Sequence, residues 1–130
     1  NKPTHIYWLQ EKEVQDINEL LPNIDILITD YSGIYFDYLL LDRPTIFAPF
    51  DIEVYNRDER EFYEDYNQVS IGGPKCYNWI EIIEACQDIF NNEDIYVRKR
   101  KIAFKKYHNF VDANNCFRVT TIAKDLMQLI

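Results

Sequence analysis

Positive charge is in short supply in this chain. Lysine and arginine number 14 against 22 aspartates and glutamates, a formal net charge of -8. A surface that must neutralise phosphates along a nucleic acid needs a cationic excess, so a general nucleic-acid binder is excluded. Cysteine is sparse too. Cys76, Cys86 and Cys116 lie too far apart for a CxxC metal site, and their odd number does not suggest a disulfide framework. A reducing cytoplasm fits that usage, and no metal site is expected. No stretch approaches the roughly 20 apolar residues that span a bilayer, and Asn1-Lys2-Pro3 carries no signal-peptide core. The chain is therefore expected to be soluble, or attached only peripherally to a membrane. It lacks an initiating methionine, an internal repeat and a low-complexity linker, and the first of these points to a piece of a longer protein.

What is present suits one compact domain. In 130 residues, 47% are hydrophobic and 15% aromatic, ample for a core. Charge is unevenly placed: Asp51 to Asp65 holds seven acids against Arg57 and Arg60, whereas Arg98 to Lys106 holds six cations and no acid. The latter reads as a solvated helix face, with attraction to an anionic membrane or a polymeric phosphate as the alternative.

The pattern alternates strands and helices. Thr4 to Leu9 reads as a strand; Val14, Ile17, Leu20 and Leu21 recur at helical spacing before Pro22; Ile24 to Thr29 is a second strand. A helix apolar nearly all round, and so expected to be deeply buried, follows Gly33, and a third strand runs from Pro44 to Phe47. Phe50 to Val69 reads as an extended loop with one helical turn around Arg57 to Tyr63, its aromatics able to line an acceptor cleft. Asn78 caps a helix from Trp79 to Phe90 with Ile80, Ile83, Cys86 and Ile89 inward; further helices run from Ile95 to about Phe110 and from Asn114 or Asn115 onward. This is a Rossmann-like, doubly wound parallel α/β sheet followed by C-terminal helices.

The 22 residues from Ile26 to Phe47 concentrate the chemistry. A strand ends in Asp30, Ser32 and Gly33, where a helix opens; such junctions in α/β proteins hold phosphates, because free backbone N–H groups and a partial positive charge meet an anion there. Ser32 adds a hydroxyl and Gly33 permits close approach. Asp30 reads as an acceptor for turn N–H groups. Asp37, alone on an apolar helix, is costly to bury unless it faces a ligand or is neutralised by a neighbour such as Arg43. Asp112 and Arg118 are expected to pair and fix the last helix, and His108 reads as a packed or surface residue rather than a catalyst.

Asp25 to Gly33, Asp37 and Arg43-Pro44 to Phe47 match in order a D-x-L-I-T-D-Y-S-S motif, an aspartate four residues beyond its second serine, and an R-P-x-x-F strand. Asp51 to Tyr55 matches D-L-E-x-Y, Arg60 to Tyr63 matches R-G-F-Y, Gly73-Pro74 a P-G-P turn, and His108 to Val119 the pattern H-x-F-x-D-G-x-x-S-x-R-V. In these features the chain resembles the CDP-glycerol glycerophosphotransferase family, which primes or polymerises teichoic acids, over roughly residues 12 to 122. The resemblance implies the donor-nucleotide half of a two-domain GT-B enzyme, with the other half upstream. It implies CDP-glycerol as substrate with no separate cofactor, a lipid-linked polyol-phosphate acceptor, and substrate contacts from Ser32, Gly33 and Asp37. No catalytic residue is implied within these residues, because the family's H-G-T motif is absent and neither His5 nor His108 stands in one. Gly33 replaces the second serine of the motif, and Ala113, Asn114 and Cys116 depart from G-x-x-S. A nucleotide-sugar glycosyltransferase of the same form, or a non-catalytic nucleotide or anion module, are the rival readings.

Overall fold

The computed structural model describes residues 5–10, 12–58 and 62–128. Its centre is a parallel pair, β1 (Leu27–Thr29) and β2 (Thr45–Phe47), in the register Leu27 with Thr45, Ile28 with Ile46 and Thr29 with Phe47. Helix α1 (Ile34–Leu39) makes the crossover. It stops at Leu40; Asp42 then takes a left-handed φ of 50°, which a short polar residue tolerates, and Pro44 cannot continue a helix. Arg43 locks this return, its guanidinium donating to the carbonyls of Pro22 and Ile24 at 2.8 and 2.7 Å.

All three residues of β2 are buried because a further segment covers its other edge. Phe47 N–H donates to Pro74 O, and Cys76 N–H donates to Phe47 O at 2.8 Å, forming a parallel bridge between Phe47 and Lys75. Gly73 makes this approach feasible, since a Cβ there would lie 1.8 Å from Thr45 O. The core falls into three adjoining groups. Tyr35, Leu39, Phe47, Tyr66 and Ala103 form the first, Leu21, Leu27 and Tyr38 the second, and Ile46, Cys76 and Ile82 the third.

Around this centre lie α2 (Ile52–Asp58), α3 (Tyr66–Val69), α4 (Trp79–Phe90), α5 (Val97–Tyr107) and α6 (Asn115–Gln128). The three helices expected after Asn78 are all present, and α4 has the expected ends. Its cap is reciprocal: Asn78 accepts from the N–H groups of Ile80 and Glu81, while Glu81 accepts from Tyr77 N–H. Its inner face is Ile82, Ala85, Cys86 and Ile89; Ile80 and Ile83 are 69% and 56% exposed, because the phase is set by packing on Ile46 and Cys76 rather than by the longest apolar spacing.

Other expectations are corrected. Residues 5–9 form no strand, and Thr4 lies outside the described residues. The helix around Val14 to Leu21 is instead two short 3-10 turns, Ile17–Glu19 and Leu21–Asn23; Asp16 caps the first and Pro22 opens the second, leaving no room for an α-helical run. The acidic stretch after Phe50 is not an extended loop but holds α2 and α3, the latter capped by Asp65 on Asn67 N–H, while residues 59–61 lie outside the described residues. Helix α1 is not buried all round: Tyr35, Tyr38 and Leu39 are, whereas Asp37 and Leu40 face solvent. Among the described residues the sheet has two strands, so the architecture is mixed α/β with a small parallel sheet.

Candidate functional site

Beyond the carboxyl ends of β1 and β2 lies a cavity of about 290 Å³. Its floor is aromatic, with Tyr31, Tyr35, Phe36, Phe62, Tyr66 and Tyr107 among its walls, and Asp30, Ser32 and Glu64 supply the polar rim. The rings form a continuous array: Tyr31 lies 4.3 Å from Tyr55 and 5.5 Å from both Phe62 and Tyr66, and Tyr35 meets Phe47 edge to face at 4.8 Å.

Hydrogen bonds hold this array in place. Tyr31 Oη donates to Asp51 Oδ1 at 2.7 Å, and Tyr66 Oη donates to Asp30 O at 3.3 Å. Burial pushes both phenols well above the ordinary tyrosine range, with Asp51 adding to the effect at Tyr31. Burial also pushes Tyr35 up to about 12. All three therefore stay protonated at neutral pH. On the opposite rim Glu64 accepts from Lys106 Nζ at 2.6 Å and Tyr107 Oη at 2.8 Å, bonds that hold its carboxyl below the usual range.

At the mouth, Asp30 acts as the turn acceptor expected of it, taking Ser32 N–H at 3.1 Å. The helix start offers fewer free amides than the sequence pattern predicts. Ile34 N–H reaches Ser32 Oγ at 3.5 Å, Tyr35 N–H donates to Ser32 O and Phe36 N–H to Gly33 O. The tight first turn uses these donors, leaving the Gly33 N–H without an acceptor among the described residues. Gly33 itself is right-handed, with φ of -60°, and a Cβ there would meet nothing within 4 Å. The position therefore has room for the Cβ of a serine.

The three residues singled out from sequence are not gathered in one cavity. Ser32 lines the aromatic cavity, whereas Asp37 lies along a separate groove of about 450 Å³ with Leu40, His108, Phe110 and Asp112, and Gly33 lines neither. Asp37 is exposed, and Arg43 does not neutralise it because that guanidinium is committed to backbone carbonyls. His108 is a packed residue with Nε2 2.8 Å from Phe36 O, and Asp112 pairs with Arg118 at 2.5 Å, both as expected.

The basic run on α5 is not simply a solvated face. Arg100 is buried, paired with Asp42 at 3.4 Å and Asp94 at 2.9 Å, and Lys106 is tied to Glu64. Sequence reasoning missed Glu64, Lys106 and Tyr107 as rim residues, because they meet across 42 and 43 positions with no local pattern to join them. Among the described residues, no helix is long and apolar enough to cross a membrane.

Comparison with known proteins gives a consistent picture. Residues 2–123 match the family model described as CDP-Glycerol:Poly(glycerophosphate) glycerophosphotransferase. The chain is 32% identical over 107 residues to the teichoic acid glycerol-phosphate transferase of Staphylococcus aureus (strain NCTC 8325 / PS 47), which covers 82% of this chain and 27% of that protein. It is 43% identical over 75 residues to the teichoic acid poly(glycerol phosphate) polymerase of Bacillus subtilis (strain 168), covering 58% of this chain and 10% of that protein. Its fold is similar to the solved structure of the wall teichoic acid polymerase TagF, with a TM-score of 0.71 and 25% identity over 93% of this chain and 30% of that one.

Proposed function

Because the chain belongs to the CDP-glycerol:poly(glycerophosphate) glycerophosphotransferase family, we propose that it forms the donor-binding part of a glycerophosphotransferase of teichoic acid synthesis. In this reading it is one Rossmann-like half of a two-domain GT-B enzyme. The observation that carries the reading is the aromatic cavity at the carboxyl ends of the two parallel strands, with the exposed Ser32 on its rim. That edge is where open α/β sheets take their ligands.

In this reading Ser32 Oγ and the unpaired Gly33 N–H hold the diphosphate of CDP-glycerol, and Asp37 accepts a hydrogen bond from a ribose or glycerol hydroxyl. A terminal hydroxyl of the lipid-linked acceptor attacks the β-phosphorus. A new acceptor O–P bond forms, the bridging P–O bond breaks, and CMP leaves. The proton of the attacking hydroxyl passes to a base supplied by the remainder of the protein. These residues contribute position and charge stabilisation, which carry most of the barrier reduction in phosphoryl transfer. The enzyme works at the cytoplasmic face of the membrane, in peripheral contact with it.

Calorimetric titration of the full-length protein with CDP-glycerol, CMP and UDP-glucose tests the assignment. Cytidine ligands are expected to bind in preference, and Ser32→Ala to weaken CDP-glycerol about tenfold, the worth of one hydrogen bond to a charged group. Preference for UDP-glucose would replace the reading with a glycosyltransferase one, and binding of simple phosphate alone would reduce it to an anion module.

A further inference from the structure

The chain is acidic overall, yet one concavity of about 380 Å³ is lined by two lysines, Lys75 and Lys99, and by no carboxylate. It shares a wall with the aromatic cavity: in the segment 66–73, Tyr66 and Val69 line the aromatic cavity while Asn67 and Ser70 line this one. The fold brings the two cations together from distant parts of the sequence. Lys75 is placed by the bridge to Phe47 at the carboxyl end of β2, and Lys99 by the first turn of α5.

Lys75 Nζ lies 3.4 Å from Ser70 Oγ, a buried hydroxyl that already donates to Tyr66 O at 2.6 Å. Lys99 Nζ stands 5.4 Å from the centre of the Tyr96 ring. No carboxylate pairs with either among the described residues, whereas Arg100 and Lys106 on the same helix are both paired. In a chain with surplus carboxylates, two ammonium groups with no carboxylate partner among the described residues leave a local positive field for an outside anion. Asn67, Tyr77 and Tyr96, residues that each carry a neutral donor, line the same concavity.

We propose that the concavity between Lys75 and Lys99 is a phosphate-binding subsite, distinct from the aromatic cavity, that takes a phosphodiester group of a polyol-phosphate chain. The phosphate chemistry follows from the lysine pair and the neutral donors. The choice of a chain over free phosphate rests on the family reading above. Each ammonium is a compact point charge on a flexible stem with three donors, able to reach either non-bridging oxygen of a singly charged phosphodiester.

The test titrates the full-length protein with a glycerol-phosphate oligomer and, separately, with inorganic phosphate, comparing the unaltered protein with Lys75→Gln/Lys99→Gln. The oligomer is expected to bind about tenfold or more weakly to the double variant, the loss of charge-assisted hydrogen bonds, and Lys75→Arg/Lys99→Arg to retain most of the affinity. Bound oligomer should also protect both lysines of the unaltered protein from amine acylation, a readout that needs no variant. Weakening of inorganic phosphate alone would assign the subsite to free phosphate. Unchanged affinity for both probes with no protection would overturn it, as would an equal loss of CDP-glycerol affinity, which would merge it with the donor site. If CDP-glycerol fails to bind the unaltered protein while the oligomer still depends on the lysines, the donor reading falls and this one stands.

Discussion

The two flanks of α1 differ in how much of their chemistry folding already uses. On one, Tyr35 and Phe36 face a cavity whose rim is largely paired from within, Tyr31 with Asp51, Tyr66 with the Asp30 carbonyl, and Glu64 with Lys106 and Tyr107, the buried Tyr35 hydroxyl being left without a partner among the described residues. On the other, Asp37 and Leu40 lie in the open along the groove edged by His108 and Phe110. Internally paired groups hold a shape. A carboxylate left in water adds little to stability and is available to a ligand. The aromatic flank is thus read as a preformed container, and the Asp37 flank as a surface whose charge folding does not require.

The largest effect should come from the support beneath the container. Gly73→Ala places a methyl against the Thr45 carbonyl and within 3.3 Å of Phe47 Cε2, so the bridge to β2 must open. A loss of about 3 kcal/mol or more is expected, read from the urea midpoint. A neutral result would mean that the edge segment is not held where the container needs it.

Next, Tyr66→Ala should cost about 3 kcal/mol, since it removes a buried ring and leaves its neighbours unfilled. Leu40→Ala, 48% exposed on the open flank, should cost under about 1 kcal/mol. Equal losses at the two positions would erase the distinction between flanks. A smaller stability effect, within about 0.5 kcal/mol, is expected for Asp37→Ala, accompanied by weaker CDP-glycerol binding. A large fall in melting temperature with unchanged affinity would make Asp37 structural.

The same contrast shows what the sequence could disclose. Local signals carried well: Asn78 marked the start of α4, and Pro44 the return into β2. The junction at Asp30 to Gly33 was legible because strand, turn and helix formers stand in order within a few residues. The Glu64, Lys106 and Tyr107 rim was not, because those residues meet only after α5 packs against α1 and the turn Ser70–Gly72. Periodicity also overstated the burial of α1. Apolar residues surround that helix in sequence, but α5 and β1 cover only part of it, and composition alone cannot say which part. Arg100 was misjudged for a related reason: a cation in a basic run looks solvated until Asp42 and Asp94 arrive from elsewhere.

The finest probe of the container is its titratable rim. Glu64 has its carboxyl held below the ordinary range, first by the hydrogen bond from Lys106 and then by that from Tyr107. A carboxyl whose folded value is depressed adds stability that is fully present above its unfolded value and lost as pH falls through the folded one. Glu64→Gln keeps the size and removes the charge. The variant should therefore be slightly less stable than the unaltered protein at neutral pH, with the gap closing once the pH drops below the ordinary glutamate range. Asp112, held low by Arg118, titrates in the same direction in both proteins and cancels from the difference. Urea midpoints from about pH 7 to about pH 2 read this directly. A gap that is constant with pH, or that widens toward acid, would show that the rim contacts of Glu64 do not depend on its charge, and the paired flank would then rest on its rings alone.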